Sequence, residues 1–152
     1  MADDKKRSRA KKSEMSATLT AALAKVTDYM SDMVKGKTLL SEGKAAIEKG
    51  DYLGAIDCFS HGISFNPMNA DLYKMRVQCY KTLNMHTEAY FDYSFLIRLE
   101  PNNGNYYCSR SLVLTKMKKY DMAVEDADYA VEVPKVILIV YLHFAYLRLS
   151  SI

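Results

Sequence analysis

Apolar side chains recur every three or four residues from Met15 onward, at Leu19, Leu23, Val26, Met30, Met33 and Val34, with Thr20, Lys25, Asp28 and Asp32 between them. That spacing predicts one amphipathic helix over residues 15–35. Ser16 suits its N-cap, and Gly36 the position just past its end. The stripe needs cover. It is expected to lie on the segment that follows, with a helix that pairs with itself or with a partner as the alternative.

From Gly36 on, the pattern repeats. Segments 36–69, 70–103 and 104–137 superimpose over most of their length with a period of 34 residues. Ala55, Ala89 and Ala123 share the twentieth position; Leu39, Tyr73 and Tyr107 the fourth; Ala46, Tyr80 and Leu114 the eleventh; Ile63, Ile97 and Val131 the twenty-eighth. Each segment holds two runs of helical spacing, broken near Gly50 and Asp51, near Asn84, and near Lys118 and Lys119. Each repeat is therefore predicted to be a helical hairpin. Small Ala at the twentieth position lets the second helix approach the first, and the larger residues fill the space around it. Pro67 and Pro101, in NPMNA and EPNNG, stop the second helix and turn the chain into the next hairpin.

A 34-residue helix-turn-helix repeat with these occupants resembles the tetratricopeptide-repeat family over residues 36–137. Departures are Val77 at the usually small eighth position, His86 at the usually aromatic seventeenth, and Pro134 one residue early. The resemblance implies an all-α, right-handed superhelical solenoid of three hairpins, preceded by an extra helix. It also implies a non-enzymatic function: an adaptor or scaffold holding a peptide or helix of another protein in a concave groove lined by the first helices.

On that expectation the groove presents Lys37, Leu40, Lys44, Ile47 and Glu48 from repeat one, and Asp71, Lys74, Met75, Gln78, Lys81 and Thr82 from repeat two. Repeat three adds Asn105, Cys108, Ser109, Leu112, Thr115 and Lys116. Five lysines outnumber two carboxylates, which favours an acidic peptide carrying apolar anchors. Family members that grip the C-terminal Glu-Glu-Val-Asp of heat-shock chaperones place lysine, arginine and asparagine at set positions, held here by Leu40, Lys44, Met75, Asn105 and Ser109. That clamp is missing, which ranks a co-chaperone role low. A structural subunit of a multiprotein or cytoskeletal assembly, for example a ciliary one, is the alternative function; it would use the convex face and the C-terminal segment.

Composition changes this picture little. A chain of 152 residues that is 49% hydrophobic and 26% charged is one ordinary domain. The net charge of +3 resides in residues 1–14, read as a disordered basic tail, so nucleic-acid association through it ranks below protein binding. Cys58, Cys79 and Cys108 form no C-x-x-C and His61, His86 and His143 lie far apart, so no metal, cofactor or catalytic site is expected. Asp121, Glu125, Asp126, Asp128 and Glu132 read as a solvated acidic face. Of the tyrosines, Tyr52, Tyr73, Tyr80, Tyr93, Tyr107 and Tyr120 read as core, and Tyr29, Tyr90, Tyr106 and Tyr129 as surface anchors. The uncharged run VILIVYLHFAYL, residues 136–147, overlapping an apolar C-terminal segment assigned to 138–152, is too short to span a membrane and suits self-association. Cytoplasm, with the nucleus as the alternative, is the expected location.

Overall fold

The structure, a computed structural model, describes residues 2–132 and 134. Five helices, α1 (Ala2–Glu48), α2 (Tyr52–Phe65), α3 (Ala70–Thr82), α4 (His86–Leu99) and α5 (Gly104–Lys116), are followed by a sixth, α6, over residues 120–132. No strand occurs among the described residues. The second half of α1 packs on α2, α3 packs on both α2 and α4, and α4 packs on α5. Each helix therefore touches its chain neighbours, which is the one-dimensional stacking of an all-α solenoid.

The three turns inside the hairpins share one device. Gly50, Asn84 and Lys118, spaced by the repeat period, adopt left-handed backbone with φ of 77°, 57° and 61°. The next amide reaches back to close the helix, from Asp51 to the Ala46 carbonyl at 2.9 Å, Met85 to Tyr80 at 2.8 Å, and Lys119 to Leu114 at 2.9 Å. This is a Schellman closure. Between hairpins, the Asn69 and Asn103 side chains accept from the amides of Asp71 and Asn105 at 3.0 and 3.3 Å, capping α3 and α5 just after Pro67 and Pro101.

The predicted core positions are filled as expected at Ala55, Ala89 and Ala123, all buried. Ala55, Phe59, Leu72 and Cys79 form one cluster, and Tyr73, Val77, Tyr80, Ala89, Tyr93, Leu96 and Ile97 lie in a second, extended by Tyr106 and Val113 of α5. Val131, at the twenty-eighth position of the last repeat, is exposed instead, as is Tyr120. Tyr106 belongs to the core and not to the surface; its hydroxyl lies 3.0 Å from a Glu100 carboxylate oxygen.

Residues 2–48 depart most from expectation. The tail assigned to 1–14 is helical from Ala2, and neither Ser16 nor Gly36 ends anything: α1 passes through both. Helix is cheap to extend once nucleated, and the Ala-, Lys- and Arg-rich composition of the tail suits extension. Gly36 serves close approach, since a Cβ there would stand 3.1 Å from that of Asn66. Gly43 does the same, because a Cβ would overlap the Phe59 ring. The stripe of residues 15–34 does not cover repeat one. Met15, Leu19, Leu23, Val26, Tyr29, Met30 and Val34 are all more than half exposed. α2 ends at Phe65, opposite Gly36, so none of the other described helices runs alongside the preceding turns. Residues 138–152 lie outside the described residues, as does the end of the repeat assigned to 104–137.

A lysine in left-handed backbone carries a steric cost that glycine does not. Lys118→Gly is expected to stabilise the array by about 0.5–1 kcal/mol, read as a higher urea midpoint with an unchanged slope.

Candidate functional site

The first helix of each hairpin carries the predicted groove, and packing divides its residues into two sets. Leu40, Ile47 and Met75 pack against the Ala55–Phe59 cluster and are half-buried. They are therefore partly committed to the core, because tight approach at Ala55 draws large neighbours inward. Lys37, Lys44, Gln78, Lys81, Asn105, Cys108, Leu112 and Lys116 are exposed, and Ser109 is half-buried. Lys74 is held by Asp71 at 2.9 Å on the same helix, so that pair adds little net charge. Lys37, Lys44, Lys81 and Lys116 make no ion pair among the described residues.

Two concavities organise the exposed set. A cleft of about 460 Å³ is formed by Lys81, Asn84 and His86 with Ser109, Leu112, Thr115 and Lys116, and no carboxylate lines it. Leu112 is 61% exposed there, the barest apolar side chain of α5. Asn105 and Cys108 line a different cavity of about 870 Å³, against Ala127, Ala130 and Val131 of α6. The predicted groove residues of repeat three are thus split between two places.

A buried polar assembly, absent from the predicted set, ties the array together. Arg76 donates from Nε to Asp92 Oδ2 at 2.8 Å, from Nη2 to Oδ1 at 2.6 Å, and from Nη1 to Ser60 Oγ at 3.0 Å. One repeat later Arg110 does the same with Asp126, at 2.7 Å twice, and with Ser94 at 3.0 Å. Each planar guanidinium also lies against two tyrosines, Tyr73 and Tyr80 for Arg76 and Tyr90 and Tyr107 for Arg110. Asp126 is therefore a buried partner of Arg110 and not part of a solvated acidic face. In repeat one the matching positions hold Glu42 and Cys58. Burial first, and then the carboxylates of Glu42, Asp57 and Asp51, push the Cys58 thiol above its ordinary value. Burial likewise raises Cys79.

Among the described residues no three His, Cys, Asp or Glu side chains gather into a metal-binding group, and no helix is long and apolar enough to cross a membrane.

Comparison with known proteins agrees with the fold. No family model matches the chain. The DnaJ homolog subfamily C member 7 homolog of Dictyostelium discoideum is 31% identical over 113 residues, covering 68% of this chain and 21% of the relative. The small glutamine-rich tetratricopeptide repeat-containing protein 2 of Mycosarcoma maydis is 28% identical over 102 residues, 67% of this chain and 29% of its own. The chain thus spans less than a third of the length of these relatives. Among solved structures, the second TPR of Spaghetti (RPAP3) bound to the HSP90 peptide SRMEEVD superimposes with a TM-score of 0.65 at 20% identity, covering 74% of this chain and 97% of that one. The TPR domain of Sgt2 from Aspergillus fumigatus gives 0.57 at 25% identity, with 66% and 67% covered. With three hairpins of period 34 and these likenesses, the chain belongs to the tetratricopeptide-repeat family.

Removing one partner of the guanidinium fork strands a buried charge. Asp92→Ala is expected to cost about 3 kcal/mol in urea unfolding, and the Arg76→Leu/Asp92→Leu pair to cost less than the single change. Because the Cys58 pKa is raised, its reactive thiolate appears only at more alkaline pH. Its alkylation rate, followed by mass spectrometry, should rise at higher pH in the folded than in the unfolded chain.

Proposed function

We propose that this chain is a non-enzymatic protein-binding adaptor, and that the cleft around Leu112 holds an acidic segment of its partner. The observation that carries the reading is an exposed leucine at a concave site flanked by Lys81 and Lys116, with no carboxylate in the lining. A leucine in such a place supplies the apolar anchor, and the lysines steer and retain a negatively charged chain. Lys37 and Lys44 extend the same sign along α1. A ligand unlike the SRMEEVD of the structural neighbour is supported by Leu40 and Met75, half-buried apolar residues at two positions where the family resemblance implies a cation or amide for the peptide's carboxylates. Residues 138–152, expected to mediate self-association, lie outside the described residues and contribute nothing to this reading.

Partners identified by crosslinking mass spectrometry in cells should link to Lys81 and Lys116. Lys81→Glu/Lys116→Glu is expected to weaken the recovered interaction by about 10- to 100-fold, and by less at high salt. Calorimetry with SRMEEVD should give no saturable low-micromolar binding; such binding would refute the absence of that clamp. Phe91 is 64% exposed on α4 and favours the second reading, a structural subunit using its second helices. Loss of the partner with Phe91→Glu and its retention with the lysine reversals would select that reading.

A further inference from the structure

We infer that the free N-terminal half of α1 is a dimerisation stalk, and that its occupant is the same stalk of a second copy. Residues 15–33 present Met15, Leu19, Ala22, Val26, Tyr29 and Met33 at alternating spacings of four and three. That is a coiled-coil seam. The seam is in phase with Gly36, Leu40, Gly43 and Ile47, the positions that face α2 and its packing cluster. One stripe therefore runs along α1, covered by α2 up to Gly36 and bare beyond it.

Two observations select a second copy as the cover. Met15, Leu19, Val26 and Tyr29 on the seam are 58–73% exposed, and Leu23 and Met30 beside it 58% and 56%. Together these six offer on the order of 700 Å², close to the roughly 800 Å² that one partner contributes to a standard interface. The charges of the segment, Lys25, Asp28, Asp32 and Lys35, sum to zero, and Asp32 is already bonded to Lys35 at 3.2 Å. The surface thus does not ask for a partner of either sign.

The test is sedimentation equilibrium of the full chain up to 100 µM, which should give a dimer mass. Leu19→Glu/Val26→Glu should weaken association by at least about 100-fold and leave the thermal unfolding of the repeats unchanged, since both residues stand clear of the array. A chain ending at Lys135 should stay dimeric. A monomer at 100 µM, a dimer that survives the double substitution, or a dimer lost with residues 136–152 would each overturn the proposal. So would binding to anionic vesicles by a chain that stays monomeric in solution.

Discussion

The directional constraint in this array is the guanidinium fork repeated at Arg76 and Arg110. Apolar packing brings helices together but tolerates sliding, whereas two parallel hydrogen bonds to a carboxylate and a third to a hydroxyl fix distance, rotation and register together. Arg76 reaches back to Ser60 on α2 and forward to Asp92 on α4, so one side chain joins three helices from two hairpins. α4 supplies Asp92 to one fork and Ser94 to the next. The stack is thereby indexed from hairpin to hairpin, and the cleft around Leu112, built from two of them, inherits its geometry from that indexing.

Much of the fold was legible in the sequence because close packing leaves a compositional trace. Small residues at one position, large ones at three others and a break between them specified the hairpins, and Ala55, Ala89 and Ala123 are buried as that logic requires. The fork left a trace too. Arg76 and Arg110 stand one period apart, with Asp92 and Asp126 each sixteen residues on. A reading that follows apolar positions alone passes over it and assigns Asp126 to a solvated face.

The site was less legible. Its positions were assigned by place in the repeat, but whether a groove leucine or methionine faces a ligand or the core depends on how closely the helices approach. Leu40 and Met75 turn inward where Phe59 and Leu72 fill the centre, while Leu112, on α5, stays in the open. Gly36 misled for a related reason. Glycine past a helical run ordinarily marks a stop, but here the missing side chain admits the turn after α2, and the helix continues.

That continuity also constrains how the chain can change in length. α1 has no hinge between its bare half and the half that builds the first hairpin, so azimuth is transmitted along it at about 100° per residue. Inserting or deleting one residue between Met15 and Lys35 would swing the bare stripe roughly a quarter turn away from the face that meets α2. Only changes near a whole number of turns, such as 7, 11 or 18 residues, would keep the two halves on one line. The first 35 residues, though they touch little of the array, are thus under a counting rule as strict as the 34-residue period that follows them.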